Sequence, residues 1–186
     1  METPLTNISD DHILGLLNQS NTFEKGFRVL MQKYQEKLYW HIRRMVMDHE
    51  DANDVIQNCF IKVYKSIHRF ERKSKLYTWL YRIATNEAIT HLNKQKKKAT
   101  ASIDDEESGI SHRLEADTYF DGDEAQLQLQ RALDTLPDKQ KLVFNLRYFD
   151  EMSYKEMAEV LDTSVGALKA SYHHAVKKIE QYIRAL

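Results

Sequence analysis

From Asp51 to Asn93 the apolar residues recur at steps of one, three and four, twice over, with a short basic loop between the two runs. The first run sets Val55, Ile56, Cys59, Phe60, Val63, Tyr64 and Ile67 on one stripe. The second does the same with Leu76, Trp79, Leu80, Ile83, Ala84 and Leu92. This period suits a helix and defeats a strand, whose side chains alternate between two faces. The rest of the chain agrees. Five glycines and two prolines in 186 residues supply too few turn residues for a strand-rich fold. The expectation is an all-α protein.

Upstream, Phe23, Phe27, Leu30, Met31, Tyr34, Leu38 and Ile42 keep helical spacing over 22–47. Asp48 to Asp51 then breaks the pattern with acids that suit the positive end of a helix dipole. With helices over 51–68 and 75–95, these three elements should form one bundle, since none can hide its stripe alone. Residues 96–123 are polar, charge-blocked and without period, which reads as a flexible acidic linker. Beyond it, Leu127, Leu129, Leu133 and Leu136 form a helix ended by Pro137, and Leu142, Val143 and Leu146 form the next. Ser153 and Glu156 have capping-box spacing ahead of Tyr154, Met157, Ala158 and Leu161. After a turn at Asp162-Thr163-Ser164, the last helix carries Val165, Leu168, Tyr172, Val176, Ile179 and Ile183 on one side. The expected domains are 1–97 and 124–186, joined by a linker over 98–123.

The net charge of −1 conceals strong segregation. Residues 61–100 carry eleven Lys and Arg against two acids, and residues 101–124 carry one against nine. A basic patch followed by an acidic string is the electrostatic pattern of a nucleic-acid binder, which the whole-chain balance hides. No run is long and apolar enough to span a bilayer, METPLTNISDD lacks a signal-peptide core, and the single cysteine permits no internal disulfide. These features point to the cytoplasm, with no membrane insertion. Cys59, on the apolar stripe, reads as a small core residue.

Two places carry chemistry. Around the first loop, Arg69, Arg72, Lys73 and Lys75 sit beside Phe70 and Tyr77. Cations follow phosphates, while rings offer unpaired bases a stacking face worth about 1–3 kcal/mol each. Trp79 is either such a platform or plain core. In the second, the short helices around Asp162 fit a helix-turn-helix, with the start of the last helix in a DNA major groove. An ordinary helical hairpin fits the same pattern. Enzyme and metal readings fare worse. Adjacent His173 and His174 diverge by about 100° on a helix, the acidic strings lack calcium-loop spacing, and no phosphate loop or nucleophile motif is present. No catalytic residue, metal or cofactor is expected.

The ordered string Asp54, Val55, Gln57, Phe60, Phe70, Thr78, Trp79, Leu80, Ile83, Ala84 and Asn86 resembles region two of the bacterial RNA polymerase sigma factors, in the extracytoplasmic-function (ECF) group. Leu136, Pro137, Phe144, Leu146, Arg147, Tyr148, Ser153, Tyr154, Glu156, Ala158, Ser164, Gly166 and Lys169 resemble region four of the same family. The two stretches stand in the family's order. They depart from it in two places. Ser171 and His174 stand where recognition-helix arginines are frequent, and Ala170 cannot hydrogen-bond a base edge, so readout of guanine by a forked guanidinium is not expected. The loop Glu71-Arg72-Lys73-Ser74 lacks a frequent glycine.

The resemblance implies a non-enzymatic ECF-type sigma factor that binds core RNA polymerase, recognises minus-ten and minus-thirty-five promoter elements and promotes promoter melting. It implies that Asp51, Asn53, Asp54, Gln57 and Asn58 meet the β′ coiled coil, although helix capping also accounts for Asp51 and Asp54. Phe70, Arg72, Lys73, Ser74, Lys75, Tyr77, Trp79 and Asn86 would capture the minus-ten element, with one flipped base held by the loop and Asn86. Lys94, Lys96, Lys97 and Lys98 would hold upstream phosphates. Ser164, Val165, Gly166, Lys169, Ala170, His173, His174 and Lys177 would face the minus-thirty-five element, and region four would also rest on the β flap. The acidic linker would follow a basic channel of the polymerase. An anti-sigma factor is an expected partner. The alternative is a stand-alone helix-turn-helix regulator, which would bind duplex DNA tightly without polymerase.

Overall fold

A computed structural model describes residues 8–101 and 124–185. The chain divides into two compact units between Asn93 and Lys94. All regular structure among the described residues is helical.

The first unit begins with α1 (Asp10–Leu17), an element the spacing analysis does not anticipate. The Ser9 hydroxyl caps it by accepting from the His12 amide at 3.2 Å. Its buried residues are Ile13, Leu14 and Leu17. Asp10 ties it to α2 (Phe23–Val46), because one carboxylate oxygen accepts from Lys33 Nζ and from the Tyr34 hydroxyl, each at 2.6 Å. Burial, reinforced by that bond, pushes the Tyr34 hydroxyl pKa well above its ordinary value. The two helices cross at Gly26, where a Cβ would lie 2.8 Å from Leu16 Cβ and 3.0 Å from the Leu17 nitrogen. α2 ends on Met47 in the left-handed region, at φ 64°.

Asp48, rather than Asp51, caps α3 (His49–Ser66), accepting from the Asp51 amide at 3.0 Å. The helix therefore starts two residues earlier than spacing predicts. A 3-10 turn over Ile67–Arg69 leads into the basic loop. The predicted stripe is buried from Val55 to Ile67 except at Tyr64, and Cys59 lies wholly inside. Burial pushes the Cys59 thiol pKa up to about 12. α4 (Leu76–Ala101) runs past residue 95 and through the first four residues of the expected linker. Its polar tail contains no glycine or proline, and lysine and alanine are good helix formers. Residues 94–98 are exposed, so high polarity there marks a solvated face rather than an end. Inside the bundle, fully buried His41 lies 2.9 Å from the Thr85 hydroxyl and packs on Tyr81, so α2 and α4 share a satisfied polar contact.

The second unit contains α5 (Glu124–Asp134), α6 (Asp138–Tyr148), α7 (Tyr154–Leu161) and α8 (Val165–Arg184). Leu133, Leu136, Phe144, Ala175 and Ile179 share one core cluster. Met152, Met157 and Leu168 are also fully buried. Ile183 stays exposed although it continues the α8 stripe. The acidic stretch 102–123 and the channel role expected of it lie outside the described residues.

Candidate nucleic-acid interface

Phe70 closes the 3-10 turn, its amide donating to Ile67 O at 3.0 Å. Its ring lies 5.3 Å from that of Trp79, tilted by 49°. The two platforms expected separately therefore form one half-buried pair. Arg72 adopts φ 57° and is itself the left-handed residue of the loop that lacks a glycine. That conformation costs an L-residue roughly 1 kcal/mol. Arg69, Arg72, Lys73 and Lys75 are all exposed, while Ser74 is half-buried. Arg72 comes within 3.7 Å of Asp11, but both groups are open to water and the pair contributes little. Lys73 pairs with Glu71. Lys75 Nζ sits 5.8 Å from the centre of the Tyr77 ring, which meets Tyr81 edge-on.

α4 carries this surface onward. In its Thr-Trp-Leu segment Thr78 and Leu80 point inward and Trp79 lies half out. Asn86 follows Trp79 by seven residues, which puts it on the same face about 10.5 Å along the axis. It is exposed, as are Arg82, Lys94, Lys96, Lys97 and Lys98. Leu76 is buried, as its place on the apolar stripe predicts.

The acid and amide cluster of α3 splits. Asp51 Oδ1 turns to His91 Nε2 on α4, 3.1 Å away, close enough to pair when the imidazole is protonated. Asn53 Nδ2 lies 3.0 Å from His49, which in turn lies 2.7 Å from the Tyr39 hydroxyl. Asp54, Gln57 and Asn58 face solvent. Gln57 stands on the rim of an apolar groove of about 420 Å³ between α2 and α3. Phe27, Met31, Ile56, Phe60, Ile61 and Tyr64 line it. Ile61 is 52% exposed and Tyr64 44%. The Tyr64 hydroxyl donates to Glu24 at 2.9 Å, a bond that raises its pKa. Sequence reasoning missed Ile61 and assigned Tyr64 to the core. The available signal was Ile61 itself, an apolar residue off the stripe.

In the second unit the helix-turn-helix is built by its ends. Ser153 Oγ accepts from the Glu156 amide at 3.3 Å while Glu156 accepts from the Ser153 amide at 2.9 Å, completing the capping box. Asp162 turns the chain in the left-handed region, at φ 50°. Ser164 caps α8 by accepting from the Ala167 amide at 3.3 Å, so its hydroxyl serves the helix. Leu168 faces the core and Val165 is half-buried. Gly166, Lys169, Ala170, His173, His174 and Lys177 are exposed. No group of three or more His, Cys, Asp or Glu among the described residues could hold a metal ion. No helix among them is long and apolar enough to cross a membrane.

Comparison with known proteins gives matches to both units. Residues 30–98 match Sigma-70 region 2, and residues 126–179 match Sigma-70, region 4. The chain is 32% identical over 173 residues to the ECF RNA polymerase sigma factor SigW of Bacillus subtilis, covering 88% of this chain and 91% of that one. It is 30% identical over 171 residues to the ECF RNA polymerase sigma-E factor of Escherichia coli K12, covering 88% and 89%. Among solved structures, it superposes on the sigma factor RpoE, crystallised with the anti-sigma factor NepR from Bartonella quintana, with a TM-score of 0.70 at 22% identity over 86% of this chain and 98% of that one. CnrH, solved with the cytosolic domain of CnrY, gives 0.69 at 21% identity over 95% and 97%. At those identities the superpositions speak for the fold.

Proposed function

The chain belongs to the sigma-70 family, in its ECF group, as a sigma factor of transcription initiation, and from that premise we propose how its surfaces divide the work. Asp54, Gln57 and Asn58, with the apolar groove beside them, dock on the β′ coiled coil of core RNA polymerase. Exposed carboxylate and amide groups give such a contact its register, and Ile61 and Tyr64 give it buried area. Asp51 and Asn53 act one step back by holding the start of α3.

The loop and the outer face of α4 then capture the minus-ten element. Arg72, Lys73 and Lys75 follow the phosphates, Ser74 and Tyr77 line the loop, and Asn86 meets a base edge. A strand pulled open needs a stacking surface, and the Phe70–Trp79 pair supplies one beside exposed cations. That juxtaposition is the observation that carries the reading. The α8 face from Ser164 to Lys177 addresses the minus-thirty-five element, and this unit also rests on the β flap. Ala170 offers no hydrogen bond, which leaves His173, His174 and Lys177 as outward polar groups beyond the first turns. An anti-sigma factor is the matching inhibitory partner, the class of protein with which RpoE was crystallised. The chain acts by binding rather than catalysis, and it works in the cytoplasm, where the polymerase is.

The test is abortive transcription with purified core polymerase on a randomised promoter library, with and without the chain. Short products from a defined promoter subset, dependent on the chain, are expected. No chain-dependent product removes the reading. Tight duplex binding by the chain alone would favour a free-standing regulator. Within the active complex, Asn86→Ala is expected to change base preference at the minus-ten element. Unchanged preference withdraws Asn86 from the base contact.

A further inference from the structure

We propose that Tyr154 is a positioning residue for DNA binding, its ring holding the Lys169 ammonium on the flank of the recognition helix where it meets a backbone phosphate. The inference rests on the reading of α8 as the minus-thirty-five helix.

The start of α8 is poor in groups that can hold DNA. Gly166, Ala167 and Ala170 offer no polar side chain. The Ser164 hydroxyl caps the helix, and the Thr163 hydroxyl donates to Leu161 O at 3.0 Å. Lys169 is the first cation of the helix, and Lys177 stands about two turns further on. Its direction follows from 100° per residue. Leu168 faces the core, so Lys169 lies about a quarter turn away, while Gly166, Ala170 and His173 project outward. A flank position in a major groove faces the phosphate wall, and an outward position faces the base edges.

A lysine on a four-carbon stem wanders unless something holds it. Here the Tyr154 ring does so, with Lys169 Nζ 5.8 Å from its centroid. The negative face of an aromatic ring attracts an ammonium, and more weakly than a phosphate does, so the ring orients the cation without withholding it. The ring is itself well fixed. Tyr154 is the first residue of α7, inside the capping box that Ser153 and Glu156 close. The Arg147 guanidinium also lies over the ring, at 5.4 Å, while donating to Met152 O at 3.0 Å. Tyr172 of α8 meets it edge-on at 6.4 Å. Elements α6, α7 and α8 thus converge on one ring whose free function is to aim Lys169.

The test uses the full chain with core polymerase, on a promoter fragment enriched by that complex from a random duplex library. The readout is the slope of log affinity against log salt, which becomes shallower by about 0.9 for each phosphate that the protein ceases to neutralise. Lys169→Ala and Tyr154→Leu should each flatten the slope by about that amount, the double variant should flatten it no further, and Tyr154→Phe should retain the original value. An unchanged slope for Tyr154→Leu, or additive losses in the double variant, overturns the proposal. If Lys177→Ala flattens the slope but Lys169→Ala does not, this proposal fails alone. If neither does, the reading of α8 fails with it. Should Tyr154→Leu not fold, NMR of the unaltered chain decides. The Lys169 ε-methylene protons, identified by their loss in Lys169→Arg, should shift upfield in the ring current of Tyr154, and unshifted protons overturn the proposal.

Discussion

The two units secure their working surfaces in opposite ways. In the first, α1 of 8 residues and three helices of 24, 18 and 26 residues share an extensive core. The parts proposed to work are what that packing leaves over, namely a basic loop turned by left-handed Arg72 and a groove where Ile61 and Tyr64 stay wet. In the second, the helices span 11, 11, 8 and 20 residues, and α7 and α8 are both started by capping serines. Long helices draw their stability from packing, whereas short ones lean on their caps. Core truncations should therefore be most costly in the first unit, and cap deletions should register in the second.

The largest effect expected is that of Leu38→Ala, at a fully buried position. Loss of transfer energy plus a cavity should cost about 2–5 kcal/mol. Both tryptophans, Trp40 and Trp79, lie in the first unit, so their fluorescence reports it selectively during denaturation. An equal loss of amide-exchange protection in the second unit would break the contrast. The same core shields Cys59, whose thiol pKa is pushed up to about 12. The stabilisation tied to that shift is present below the ordinary thiol value and is lost as pH rises towards 12. Alkylation at pH 8 should then wait for unfolding, and Leu38→Ala should accelerate it.

Gly26→Ala comes next. Its Cβ would meet α1 backbone and Cβ atoms that have little room to yield, costing about 1–3 kcal/mol by the same fluorescence measurement. Ser153→Ala should cost about 1 kcal/mol, visible in circular dichroism and not in tryptophan fluorescence. The smallest change is expected from Arg72→Gly. Relief of the left-handed conformation is offset by added freedom in the unfolded chain, so stability should move by less than about 0.5 kcal/mol. Promoter binding should nevertheless weaken through loss of the cation.

Much of the scaffold was legible from spacing. α2, α3 and α4 follow from apolar period, and the capping box of α7 was visible as Ser153 and Glu156. α1 escaped because eight residues hold barely two turns of pattern, and its anchors, Lys33 and Tyr34, lie more than twenty residues away. That α4 continues past residue 95 escaped because a polar tail without glycine or proline looks like a linker. At the site, the types of residue could be read but not their pairings. That Phe70 rests on Trp79, that Lys169 lies over Tyr154, and that Asp51 turns to His91 all depend on the path of a loop or the rotation of a helix. Spacing along one element does not supply either.

The central claim is that this chain opens promoter DNA only as part of core polymerase. Permanganate footprinting of an enriched promoter tests it most directly, because unpaired thymines alone react. Reactive thymines at the minus-ten element should appear with chain and core together and with neither by itself, and should vanish with Trp79→Ala. Equal reactivity with core alone, or none with the pair, would contradict the account.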